Sequence, residues 1–277
     1  MANPIIEAIR EKEKSIFHTV DGVKYIVKDV GQMLRVTSVL GVVNFDNGFL
    51  KIWREKKAKE FFAKSIPASG TVNAAEAHKA FESALKAGDN FAFASARFGT
   101  KVHGWLEHFA LTGQFPVLEE DSYSDVGKVY QSVIKFVNDF GLGTKDIEIV
   151  KPELFLYHSL GFAGTADLVV LRKGIPYLID YKVTNSLKFQ YLLQLSAYTA
   201  ALKELYNLDI KKATLIRFDK QGNGYEHVSL TNEELQEYFK LFKMCLLFYK
   251  AIQNPEHKSV KELYTPEHFK HITAGLL

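Results

Sequence analysis

The stretch Gly164–Lys182, GTADLVVLRKGIPYLIDYK, decides how this chain folds. Two apolar runs, Ala163–Leu171 and Pro176–Val183, flank the tetrapeptide Arg172-Lys173-Gly174-Ile175. This is the pattern of two interior strands joined by a tight turn. With Lys173–Gly174 as a two-residue turn, Arg172 faces Ile175 and every later pair is fixed. Asp167 then stands opposite Asp180, their Cβ atoms about 5 Å apart. Lys182 lies two residues beyond Asp180, on the same face of its strand. A slip of one residue would send the two acids to opposite faces.

Facing carboxylates in an apolar hairpin repel each other and are costly to desolvate. A shared proton or a lysine would offset part of that cost. A divalent cation does so better, and hard Mg²⁺ or Mn²⁺ prefers carboxylate oxygens. Such a cation binds a phosphate oxygen and lowers the pKa of a bound water. Lys182 beside it would position or deprotonate that water, its own pKa depressed by burial and the cation. The competing reading is structural: a buried Asp180–Lys182 salt bridge, with Asp167 capping a loop.

Outward from the hairpin, the texture differs on its two sides. Before it, residues 23–29 read as a strand, and Ser38–Ser65 as mostly helical around Trp53, Phe61 and Phe62. Ala74–Lys86 is a helix ended by Gly88, Asn90–Leu111 a second one ended by Gly113, and Ser124–Phe140 a third. Ile147–Tyr157 is a strand. After the hairpin come a helix at Phe189–Tyr206, strands at Ala213–Phe218 and Tyr225–Ser229, and a helix at Thr231–Ile252. The last opens on a Thr231/Glu234 capping box. The tail after Pro255 is weakly patterned. A mainly helical region (1–140) thus precedes a sheet with flanking helices (141–254) and a tail (255–277). No Gly-, Pro- or Ser-rich linker divides them, so one domain is expected.

The chain has 277 residues, enough for a large core, and a net charge of +3, too mild to announce a polyanion partner by itself. Its single cysteine, Cys245, excludes an internal disulfide. No apolar run approaches the roughly 20 residues needed to span a bilayer. The N-terminal segment, with Glu7, Glu11 and Glu13, resembles neither a secretory signal nor a transit peptide. A soluble intracellular protein without a membrane partner is expected.

These residues resemble a known family. Asp167 followed by Asp180-Tyr181-Lys182 on the next strand is similar to the PD-(D/E)XK nuclease superfamily. The flanks resemble its RecB-like branch: Gly99, His103 and Glu107 match a G-x-x-x-H-x-x-x-E helix, and Gln194 and Tyr198 match a Q-x-x-x-Y helix. RVTSVL at 35–40, Trp53 and GFAGTADLVV at 161–170 resemble the mitochondrial genome maintenance exonuclease group within that branch. The resemblance covers roughly residues 35–205. It implies an α/β restriction-endonuclease-like core, a mixed central sheet flanked by helices, with a helical N-terminal region. It implies His103, Asp167, Asp180 and the Val183 carbonyl as ligands of Mg²⁺ or Mn²⁺, and Lys182 as the catalytic lysine. Gln194 and Tyr198 would steady the lysine, the water or the DNA backbone. The chain departs from its nearest likeness at Val183, where a hydroxyl residue is usual; Thr184 supplies one a position later.

The activity this implies is metal-dependent hydrolysis of DNA, on single-stranded ends. An endonuclease of the same superfamily acting on structured DNA or on RNA is the first alternative. A non-catalytic nucleic-acid-binding subunit is the second, disfavoured by intact Asp167, Asp180 and Lys182. Gly99 is expected to let the His103 helix approach the sheet. Glu107 and Glu153 each fit a supporting role or a solvated acid. Phe98, Trp105, Phe189 and Tyr191, with Arg97, Lys101 and Lys188, are the nearest candidates for nucleic-acid contacts.

Overall fold

The computed structural model describes residues 3–43, 56, 58–64 and 73–253, without the side chains of 74, 85 and 87–96. The tail after Pro255 and Trp53 lie outside the described residues. The strands are β1 (His18–Asp21), β2 (Lys24–Val27), β3 (Gly31–Arg35), β4 (Ile147–His158), β5 (Phe162–Arg172), β6 (Ile175–Val183), β7 (Lys212–Phe218) and β8 (Tyr225–Thr231). The helices are α1 (Pro4–Lys14), the short α2 (Val36–Val39), α3 (Ala74–Thr112), α4 (Asp125–Phe140), α5 (Phe189–Tyr206) and α6 (Asn232–Gln253).

All eight strands join one mixed sheet flanked by helices, the arrangement of a restriction-endonuclease-like core. The β5–β6 turn forms as the sequence requires. Lys173 and Gly174 both adopt positive φ, 50° and 78°, as a turn that matches strand twist demands. Arg172 pairs with Ile175, and the ladder runs in that register to Leu168–Ile179. β6 and β7 are parallel and joined through α5; β7 and β8 form an antiparallel hairpin.

Two cores sandwich the sheet. One packs α1, α5 and α6 against Leu154, Val169, Leu178 and Leu215. α5 is enclosed by the sheet and α6, which explains its nearly all-apolar sequence. The other packs Val102, Trp105 and Leu106 of α3 with Val133, Phe136 and Val137 of α4 over Leu168, Ile179 and Phe218. Ser124 and Gly141 cap α4, Gly113 ends α3, and both reciprocal bonds of the Thr231/Glu234 capping box form.

Two expectations change, at Gly88 and at Gly99. α3 is one 39-residue helix that runs through Gly88; a lone glycine costs only about 1 kcal/mol there, against the cooperativity of a long helix. The strand read at 23–29 is β2, and it stands in a meander of β1–β3 whose inner residues Tyr25, Val27 and Met33 pack on Phe155. Gly99 is not required by close approach, because a Cβ there would meet nothing within 4 Å. Among the described residues, no helix is long and apolar enough to cross a membrane.

Candidate metal centre

β5 creates the site by sharing one edge between two partners. β4 pairs along its whole length on one side. On the other side β3 pairs with Phe162 and Ala163, and β6 only from Leu168 onward. Gly164, Thr165, Ala166 and Asp167 lie between, where the sheet forks. The Asp167 carboxylate takes over one lost ladder bond: its Oδ2 accepts from the backbone N–H of Tyr181 at 2.7 Å. The residue expected to face Asp180 thus spans the mouth of the fork.

Asp180 is fully buried, and neither of its oxygens receives a well-directed hydrogen bond. Among the described residues, its close charge partner is the Lys182 ammonium, in contact with Oδ2. Burial first, then Asp167, pushes the Asp180 carboxyl up to about 7, against the pull of Lys182 and His103. Lys182 lies over the ring of Tyr191, 5.4 Å from its centroid. Burial pulls the Lys182 pKa down, but Asp180 and Asp167 outweigh it and hold the ammonium above its usual value. The depression expected from the sequence required the cation as well as burial.

His103 reaches the fork from α3. Its Nδ1 is 3.6 Å from Asp167 Oδ1 and 3.6 Å from Glu153 Oε1. Burial disfavours the imidazolium, but Asp167 and Glu153 outweigh it and raise His103 to about 9. The ring also meets Tyr181 edge-on, centroids 5.9 Å apart. Glu153 is the functional candidate that sequence reading left undecided. It lies in β4 with φ of +48°, left-handed backbone that a non-glycine residue adopts only at a cost. A register shift between Ile149 and Lys151 precedes it. An acid on the first core strand was its only signal, and alternation alone does not tell which way such a residue turns.

One ligand atom each from His103, Glu153 and Asp167 lie within 4.8 Å of one another. These two carboxylates and one imidazole, with Asp180 buried nearby and holding only the Lys182 ammonium at Oδ2, are a donor set that fits Mn²⁺ or Mg²⁺. Val183 offers only its backbone carbonyl; its side chain belongs to the core beneath α4. Gln194 and Tyr198 are both buried, and Gln194 Nε2 donates to Tyr198 Oη at 2.9 Å. Tyr198 closes over the fork: a Cβ on Gly164 would sit 2.5 Å from its Cε1. Burial, then Asp180 and Asp167, pushes the Tyr198 hydroxyl above its ordinary pKa, so it remains a neutral donor.

The other candidates divide. Trp105 is buried edge-on to Tyr130 and Phe98 packs in the same core, so neither is presented to a ligand. Lys101 is paired with Glu120, and Glu107 is exposed on α3. Phe189 remains half exposed beside Tyr238.

No protein-family model matches the chain, and no curated protein matches it. Among solved structures, the chain is similar to SSO0001, at 12% identity, covering 72% of this chain and 87% of that one with a TM-score of 0.23. A likeness this slight carries no argument.

Proposed function

We propose that this chain is a metal-dependent deoxyribonuclease that hydrolyses phosphodiester bonds, with single-stranded DNA ends as its substrate. The observation that carries the reading is the buried, unsatisfied Asp180 held against Asp167 and Lys182 at the fork. A purely structural salt bridge gives no reason to bury a second carboxylate beside the first, or to turn His103 and Glu153 toward it. Resemblance of the four motif segments to the RecB-like nucleases points the same way.

In this reading His103, Asp167 and Asp180, with Glu153 and the Val183 carbonyl, would hold Mg²⁺ or Mn²⁺. When bound, the ion stabilises charge on the phosphate and acidifies a water. Lys182, fixed between Asp180 and the Tyr191 ring, orients that water and holds a proton at Nζ. Tyr198 and Gln194 support the lysine side of the fork and exclude bulk water from it. Asp167 has one oxygen fixed by the Tyr181 N–H, which leaves Oδ1 facing His103.

The test is cleavage of end-labelled linear and circular single strands with Mg²⁺, Mn²⁺ or EDTA. Linear strands should be degraded with either metal and not in EDTA. Lys182→Ala and Asp180→Ala should abolish cleavage and spare DNA binding. Circles cut as fast as linear strands would make the enzyme an endonuclease; activity surviving both substitutions would remove the site from the reaction.

A further inference from the structure

β4 leaves the metal centre at Glu153 and reaches Phe155 two residues later, about 7 Å along the strand. Leu154 and Leu156 enter the core beneath α5 and α6, so Phe155 faces the other side of the sheet, where α3 carries His103. There Phe155 is buried against Tyr25, Val27 and Met33 of the meander. His18, the first residue of β1, lies flat on it. The ring centroids are 3.6 Å apart and the planes within 7° of parallel. Tyr25 braces the pair from the side, edge-on to His18 at 5.8 Å and to Phe155 at 5.3 Å. Phe155 takes one face of the His18 ring, yet His18 as a whole is exposed.

Arg35 stands beside this stack at the end of β3. It pairs with Ala163, one residue before the fork opens at Gly164. Its guanidinium lies over the Tyr25 ring, 5.5 Å from the centroid, and Nη1 donates to the Gly22 carbonyl at 3.3 Å. A guanidinium presents a rigid fork of N–H donors that matches phosphate oxygens, and the Gly22 bond uses one of them.

Covering Phe155 needs only an apolar side chain. An exposed flat ring, held parallel to a buried one and braced by a third, supplies a platform of fixed plane instead. Every base presents a π-face to such a platform, whatever its identity. The platform, the guanidinium and the His103 side of the centre share one face of the sheet.

We propose that His18, resting on Phe155, is a stacking platform for an unpaired base of the strand cut at the Asp167–Asp180–Lys182 centre, with Arg35 holding an adjacent phosphate. The inference rests on the nuclease reading above for its substrate. Recognition is by stacking and charge, without base readout.

The test compares two fluorescein-labelled ligands of equal length, an oligothymidine and a strand made wholly of abasic sites. Their binding to the full chain is measured by anisotropy in EDTA. His18→Ala should weaken oligothymidine binding by about 5- to 150-fold, the worth of one base–aromatic stack. It should bind the abasic strand as wild type does, which also shows that the fold is intact. His18→Phe should restore oligothymidine binding. Arg35→Gln should weaken both ligands and make the slope of log affinity against log salt shallower by about 0.7. Unchanged oligothymidine binding in His18→Ala, or equal loss on the abasic strand, overturns the platform; an unchanged slope in Arg35→Gln overturns the phosphate contact. Hydrolysis of bis(p-nitrophenyl) phosphate by wild type with Mn²⁺, a diester without bases, reports on the centre alone. If that hydrolysis fails while the base-dependent loss appears, the nuclease reading fails and the platform stands as a nucleic-acid site.

Discussion

Replacing Asp180 by Asn in the metal-free protein should stabilise it at neutral and alkaline pH. A carboxyl that titrates at 3.8 in the open chain is raised to about 7 in the fold, mainly by burial and then by Asp167. At ~1.4 kcal/mol per pH unit, that gap corresponds to about 4 kcal/mol of folding free energy. Below pH ~4 the group is protonated in both states and has no effect. Between about 4 and 7 the unfolded chain ionises and the folded one does not, so wild-type stability falls; above 7 the full cost is present. A neutral amide at this position carries no such cost, but it also removes the carboxylate that holds the buried Lys182 ammonium above its usual value, which makes the full figure a ceiling. The raised His103 acts in the opposite window, stabilising below 6.5 and losing that contribution as pH rises through about 9. It is present in both proteins, so it largely cancels in their difference. Urea unfolding in EDTA should therefore show near-equal stabilities at about pH 4. At about pH 8 Asp180→Asn should be more stable by up to about 4 kcal/mol, on the order of 10 °C in Tm for a chain this size. Added Mn²⁺ should raise wild type more than the variant. A variant that melts below wild type at about pH 8 in EDTA would refute the reasoning, because that is the outcome if Asp180–Lys182 is a structural ion pair and removing one partner strands the other.

Gly164→Ala should cost about 1–3 kcal/mol and lower DNA cleavage, since its Cβ would press into the buried ring of Tyr198 at 2.5 Å; urea unfolding and a cleavage assay on one preparation check both. Glu153→Asn should leave stability equal or higher, because Asn tolerates left-handed backbone better than Glu, while weakening Mn²⁺ binding measured by calorimetry. Gly174→Val places a β-branched residue at φ 78° in the hairpin turn and should cost about 1–3 kcal/mol; an unchanged Tm would contradict the turn.

The hairpin was legible because period and turn chemistry agree. Apolar runs on either side of Lys173–Gly174 leave one register that buries both strands, and that register carries Asp167 and Asp180 to the same place. The last step was not legible. A regular ladder would have paired the two acids face to face, whereas the ladder stops one pair short and Asp167 bonds the Tyr181 N–H instead. Nothing local in GTAD announces that; it follows from β3 occupying the edge that β6 leaves, a contact between strands far apart in the sequence. Gly88 misled for a related reason, since a local breaker signal is weak against a helix anchored at its far end by Val102 and Leu106.

Glu153 shows where sequence reasoning ends. In KPELFLYH, strict alternation would place Glu153 opposite Leu154, on one face or the other of β4. The register shift just before it and its left-handed backbone turn it toward His103. Each departure from ideal strand geometry costs folding free energy, and neither improves the core. A strained Glu153 and a half-buried His103 converge on Asp167 within 4.8 Å, and the fully buried Asp180 carboxylate adds a further destabilising choice at the same fork. Independent accidents of packing would be scattered across the sheet. Their convergence on Asp167 is the argument that the fork is a site, and it makes metal-dependent stabilisation, lost with Asp180, the measurement on which the whole reading turns.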